Sequence, residues 1–397
     1  MDVRQFILEE SEKLYDQVRK HRQYLHSRPE LSFEEHATSE FLATRLEEMG
    51  LKVQRGWVRT GLSAEIQGKN PAARLIVLRA DMDALPIQEE NETGYKSLNQ
   101  GKMHACGHDV HMASLLGTAM ILNQLKDQFE GTVMLIFQPG EEKLPGGASL
   151  MLSEGIFQNR KPDVIIGQHV LPTLESGSVG FRPGVYMAST DELYLTVRGK
   201  GGHGAMPQDL TDPVPVAARI ILALQEITSR KAGPGRPTVL SIGKVIANGA
   251  TNVVPDEVYM EGTFRTLDEA WRKEAHILIR QIAESTASST GASCECTIRE
   301  GYPVLVNNPE ATLFAEAAAL DLLGKEAVVP QDLRMTAEDF AYFTQQFPAV
   351  FYRLGVKKAQ SNSVRALHTS TFDIEEQALK TGMATMAWIA WKFISRI

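Results

Sequence analysis

Three cysteines in 397 residues, Cys106, Cys294 and Cys296, are too few and too odd in number for a disulfide framework, so any cysteine that matters here acts as a thiolate. Long apolar runs are missing too. The longest, residues 383–394, is broken by Lys392 and falls short of the roughly 20 residues that a membrane-spanning helix needs, so a docked terminal helix is expected. Residues 1–15 lack the basic start and apolar core of a secretory signal, so a cytoplasmic location is expected. Basic excess is absent as well: 41 Lys and Arg stand against 49 Asp and Glu, which gives a net charge of -8 with no basic run and argues against nucleic-acid partners. There is no internal repeat or low-complexity segment. What remains is an ordinary globular composition with length enough for two domains.

Strand-length apolar runs alternate with helical periodicity through the first half, the mark of an α/β domain built on an open mixed or parallel sheet. Strands are expected at residues 75–78, 133–137, 164–166 and 350–354, with helices near 39–49, 111–126 and 376–393. Between them, residues 192–299 run strand (193–198), helix (214–230), two strands (239–244 and 258–265), helix (269–286) and strand (294–299). That is the split β-α-β order of a ferredoxin-like α+β module. The implied domains are 1–187 with 304–397, discontinuous, and an insertion at 188–303, with Gly184 and Pro303 as hinge or loop residues.

Ligands of open α/β sheets bind beyond the carboxyl ends of the strands, and each expected strand here ends in a carboxylate or an imidazole. Asp81 and Asp83 come after the first, Glu141 and Glu142 after the second, His169 after the third, and His368 one loop beyond the last. Between the first two lies Met103-His104-Ala105-Cys106-Gly107-His108-Asp109-Val110-His111, the densest group of possible ligands in the chain. A thiolate, imidazoles and carboxylates on one edge suit a borderline divalent metal: zinc, manganese, cobalt or nickel. Taken singly, each has a plainer explanation. Asp81 and Asp83 could end a strand, Glu141 and Glu142 could be a solvated pair, His169 could be an interior histidine, Asp109 a helix cap and Cys106 a small buried hydrophobe. Five coincidences at one edge favour the metal.

The run Gly199-Lys200-Gly201-Gly202-His203-Gly204 formally matches a dinucleotide fingerprint after a strand. Pro207, Pro213 and Pro215 prevent a helix from opening at its last glycine, and no acidic residue ends a second strand at the needed distance.

The segments Arg79-Ala80-Asp81-Met82-Asp83-Ala84-Leu85-Pro86, Cys106-Gly107-His108-Asp109, Gln138-Pro139-Gly140-Glu141-Glu142, Gly167-Gln168-His169-Val170 and Leu367-His368 resemble those of the aminoacylase and carboxypeptidase superfamily of dinuclear metallopeptidases. The branch most resembled is that of bacterial hippurate hydrolases and plant auxin-conjugate amidohydrolases. The resemblance spans the chain and implies that the insertion is a lid or dimerisation domain. It further implies two metal ions held by Cys106, His108, Glu142, His169 and His368, with Cys106 bridging. Glu141 becomes the general base, and Asp83 orients a ligand from behind. In other branches a metal-binding histidine stands at the position of Asp81. In the insertion, His203 resembles the residue that polarises the scissile carbonyl, and Asn252 and Arg265 resemble the groups that bind the substrate carboxylate. A homodimer in which His203 serves the partner's site is implied as well. Two departures, Lys143-Leu144-Pro145 after Glu142 and Gln208 where a histidine is more usual, bear on substrate choice.

The activity implied is hydrolysis of the amide of an N-acyl amino acid by metal-activated water. A carboxypeptidase or dipeptidase would use the same groups, and a catalytically dead metal-binding dimerisation module would lack the base or a ligand. Glu141 and the five ligands are all present.

Overall fold

Runs of Val, Ile and Leu without polar alternation form strands covered on both faces, and the computed structural model places them at the centre of a sheet. It describes residues 2–361 and 363–396, so Met1 and Ile397, the outer limits of the first expected domain, lie outside the described residues. Every residue of Leu75–Asp81 and Thr132–Gln138 is buried, as are the first nine of Val164–Glu175. The eight-stranded sheet runs Val53–Trp57, Gly61–Gln67, Thr132–Gln138, Leu75–Asp81, Val164–Glu175, Ala349–Lys357, Val179–Phe181 and Val328–Pro330. The four strands from Thr132–Gln138 to Ala349–Lys357 are mutually parallel, whereas Gly61–Gln67 joins antiparallel. Asp81 lies opposite Gln138, and Arg79 opposite Gly167, so two strands end together beside the middle of the third, Val164–Glu175.

The helices Val3–His26, His108–Gln124 and Ala378–Ile394 pack on one another and close the core over this sheet. No helix was expected at Val3–His26, although its apolar residues recur with a helical period. Asp2 caps it by accepting from the N–H groups of Arg4 and Gln5. Its buried stripe includes Glu10, Arg22 and His26 beside Ile7, Val18 and Leu25, so charged residues disguise the inward face. Residues 383–394 fall within Ala378–Ile394, the docked helix expected, and among the described residues no helix is long and apolar enough to cross a membrane.

The chain divides into two compact units, the first of residues 1–184, 306–332 and 339–397 and the second of residues 185–305 and 333–338. In the second, the strands order as Thr238–Ile246, Glu257–Thr266, Asp191–Arg198 and Ser293–Glu300, all antiparallel. This is the ferredoxin-like arrangement. Asp191–Arg198 alternates buried and half-buried residues, and its inner face packs with Val216, Ile220 and Leu224 of Pro213–Glu226 and with Trp271, Ile279 and Ala283 of Glu269–Ser288. The first of these helices ends before the expected residue 230 because residues 227–231 widen into a π turn.

Candidate metal centre

Asp83, two residues past its strand, organises the edge. Its Oδ1 accepts the Glu141 N–H at 3.0 Å, its Oδ2 accepts the Glu142 N–H at 2.9 Å, and the Ser32 hydroxyl donates to it at 2.6 Å. Burial alone would raise this carboxyl, but bonding to His108, Ser32 and the Glu142 N–H holds it below the usual carboxylate range. The Asp83 backbone oxygen lies 2.8 Å from His108 Nδ1, which fixes a proton there and leaves Nε2 as the nitrogen a cation would meet. That nitrogen is buried with no hydrogen-bond partner.

Cys106 and Gly107 lead into the His108–Gln124 helix. Gly107 has φ +82, and a Cβ there would sit 2.5 Å from Val170 Cγ2, so no other residue lets the turn deliver Cys106 and His108 to the same point. Cys106 Sγ lies 3.5 Å from His169 Nε2 and 3.3 Å from His368 Nε2. His169 donates from Nδ1 to the Val170 carbonyl at 2.8 Å, which points Nε2 at the sulfur. His169 is not beyond its strand as expected but inside it, because Val164–Glu175 continues past residue 166. His368, half exposed and with φ +60, donates its backbone N–H to Ala105 at 2.8 Å and sets Nε2 3.2 Å from Glu142 Oε1.

The ligand atoms fall into overlapping groups, each within 4.8 Å: Cys106, His108 and His169; Cys106, Glu142 and His368; His108, Glu141 and Glu142. The fit to a cation is electrostatic as well as geometric. Burial works against a charged His108, yet Asp81, Asp83 and Glu142 outweigh it and lift the imidazole to about 10. Burial and the carboxylates of Glu142, Glu141 and Asp81 push the Cys106 thiol well above its ordinary value, so a thiolate there requires a cation at the sulfur.

Asp81 plays a different part. Its Oδ2 accepts from Arg79 at 2.6 Å and its Oδ1 from His111 Nδ1 at 2.6 Å. His111 Nε2 in turn accepts the Val170 N–H at 2.9 Å, so both its nitrogens are engaged and it holds the backbone beside His169. Arg79 continues to Gln138 and Asp339, both at 2.9 Å. Asp109 accepts from Arg22 at 2.7 Å and lies 2.8 Å from His26, which ties the Val3–His26 helix to the residue next to His108. The sequence left Arg22, His26 and Asp339 without a role and counted His111 only within a group of possible ligands. The available signal was ionisable residues inside apolar stretches, as with Arg79 in Leu-Ile-Val-Leu-Arg-Ala-Asp.

Within the second unit, Gly202–His203 pairs antiparallel with Val253–Val254, and the Gly204 N–H donates to the Asn252 carbonyl at 2.9 Å. His203 and Asn252 are therefore exposed neighbours. The Ala205 N–H donates to His203 Nδ1 at 3.1 Å. Arg265 stands on that unit's larger sheet, half-buried, with Nη1 donating to the Met335 carbonyl at 3.2 Å.

A sheet edge that collects a thiol, imidazoles and paired carboxylates around one point defines a metal-centred hydrolase. Residues 77–392 match the model of peptidase family M20/M25/M40. An N-acyl-L-amino acid amidohydrolase of Geobacillus stearothermophilus is 41% identical over 307 residues, 76% of this chain and 82% of that protein. Thermostable carboxypeptidase 2 of Saccharolobus solfataricus is 36% identical over 399 residues, covering 100% of both. The structure of a dinuclear metal binding peptidase of the M20 family from Bacillus subtilis superposes with a TM-score of 0.83 at 33% identity, over 97% of this chain and 100% of that one. The chain belongs to peptidase family M20/M25/M40. It is a metal-dependent amidohydrolase.

Proposed function

We propose that the enzyme hydrolyses the amide bond of N-acyl amino acids at a centre of two divalent ions. The observation that carries this reading is the Cys106 sulfur, which lies 3.5 Å from His169 Nε2 and 3.3 Å from His368 Nε2 and so stands between two groups of candidate ligands. In it, Cys106, His108, Glu142, His169 and His368 would hold the ions. When bound, such ions lower the pKa of water and stabilise negative charge on a carbonyl oxygen. Glu141 takes the proton of the attacking water and passes it to the leaving amine. Asp83 sets the directions of Glu141 and Glu142 through their backbone N–H groups. His203 polarises the scissile carbonyl, while Asn252 and Arg265 receive the substrate carboxylate. Residues 188–303 act as a lid and as the dimerisation domain of a homodimer. Self-association is supported by Thr238–Ile246, an outer strand of the second unit's sheet whose unpaired edge a second copy could extend. A cytoplasmic location fits three cysteines that are all unpaired.

Metal titration with elemental analysis tests the centre. Two ions per chain are expected, and Cys106→Ala should weaken binding by more than the roughly 10- to 100-fold that loss of a supporting partner costs. Cys294→Ala and Cys296→Ala, both on Ser293–Glu300, should leave it unchanged. One ion supporting full activity would sink the dinuclear reading.

A second reading, carboxypeptidase action on short peptides, is favoured by the full-length likeness to the Saccharolobus enzyme. A panel of N-acetyl amino acids, N-benzoyl amino acids and dipeptides separates the two. With the best acid substrate, Arg265→Ala should raise KM by roughly 10-fold or more, the loss of one charge-assisted bond, and hardly affect the methyl ester. Equal effects on acid and ester would reject carboxylate recognition by Arg265.

A further inference from the structure

Glu35 is a buried carboxyl that the chemistry above leaves unused. It occupies the N-cap of the His36–Glu48 helix, where a side-chain acceptor ordinarily bonds the first N–H groups of its own helix, yet it makes no such bond. Its carboxylate turns inward and is fully buried. Oε1 accepts the N–H groups of Gly140 and Phe33, each at 2.9 Å, and Oε2 accepts the Thr60 hydroxyl at 2.6 Å. Burial and the nearby Asp83 carboxylate push the group up to about 7, so its presence opposes stability and calls for a reason.

The reason lies in three consecutive amides. The Gly140 N–H is held by Glu35, and those of Glu141 and Glu142 by Asp83. The Gly140 carbonyl is pinned as well, by the Gly147 N–H at 3.0 Å. Phe33, at φ +68, lays its ring where a Cβ of residue 140 would be, and Gly140 takes φ +61 against it. Phe33 and Glu35 thus grip one loop from one side, and Ser32 bonds the Asp83 carboxylate that holds its next two amides.

We infer that Glu35 is a positioning residue: it fixes the peptide plane ahead of Glu141 so that the two adjacent glutamates take separate directions. It acts through the reach of its acceptor oxygen and not through its charge. The inference rests on Glu141 being the proton acceptor.

Two substitutions separate reach from charge. Glu35→Asp keeps the charge and withdraws the acceptor from Gly140 by one methylene; Glu35→Gln keeps the reach and turns an amide nitrogen toward the Thr60 oxygen. In the metal-loaded full-length enzyme, Glu35→Asp should lower kcat by roughly 10²-fold, the scale of a misplacement near 1 Å. KM should stay within about threefold, and Glu35→Gln within about threefold of the parent in both constants. Amide hydrogen exchange over residues 138–147 is the second readout: Glu35→Asp should speed it by at least about tenfold and Glu35→Gln should not. Equal impairment of the two variants, impairment of Glu35→Gln alone, or parental exchange in both overturns the inference. If Glu35→Asp does not fold, Thr60→Val takes its place, with faster exchange expected and unchanged exchange overturning the inference. Full turnover in Glu141→Gln would remove the base assignment while the exchange contrast still decides what Glu35 does to the loop.

Discussion

Glu141→Gln should retain both metal ions and lose roughly 10²- to 10⁴-fold in kcat, the range for a positioned acid or base. The substitution is close to isosteric, and the Asp83 bond that places the residue does not depend on its side-chain charge. Asp83 bonds the backbone N–H of Glu141 and not its side chain. The Asp339 N–H lies 3.4 Å from Glu141 Oε1, where an amide oxygen can remain. The capacity to accept and return a proton disappears. Equal falls in kcat and kcat/KM would mark an interaction made in the transition state alone. Near-normal turnover with metal bound would reject Glu141 as the base.

His203→Ala should cost roughly 10²- to 10³-fold in kcat with metal binding intact, as removal of an oxyanion donor does. The residue sits at an exposed strand end of the second unit, bonded through Nδ1 to the Ala205 N–H. Under the homodimer reading it serves the partner's centre, whereas Glu141 acts in its own chain. Mixing inactive His203→Ala subunits with inactive Glu141→Gln subunits, after dissociation and reassembly, should then restore activity. Each mixed dimer has one site with an intact Glu141 and the partner's intact histidine. With both residues acting within one chain, every site would carry a defect. Proven subunit exchange without recovery would defeat the shared arrangement.

Legibility in the sequence divides along a physical line, between local signals and distant pairings. Strand ends are local: apolar runs announce Leu75–Asp81, Thr132–Gln138 and Ala349–Lys357, and the residues after them fall on one edge because parallel strands share a direction. The structure brings Cys106, His108, Glu142, His169 and His368 together there. Where Val164–Glu175 ends was hidden because Gln168 and His169, polar residues, are buried within it, Gln168 against the Tyr352 hydroxyl at 3.0 Å. Supporting residues were hidden more deeply. Arg22 bonds Asp109, 87 positions away, and Glu35 bonds Gly140, 105 positions away. No spacing rule encodes such pairings, and a charge on a helix looks like a solvated face until its partner is known.

The order of the central sheet has a consequence for synthesis. Ala349–Lys357 lies between Val164–Glu175 and Val179–Phe181, two strands that leave the ribosome some 170 residues before it. Until that late strand emerges, the nascent chain carries an open slot beside one of its most apolar strands, an edge prone to pair with another chain. His368, which stands beside the Cys106 sulfur, emerges later still. The thiol therefore waits for its last neighbour until 262 further residues have been added. A fragment stopped short of residue 349 keeps the base and most of the candidate ligands but has no finished sheet to hold them.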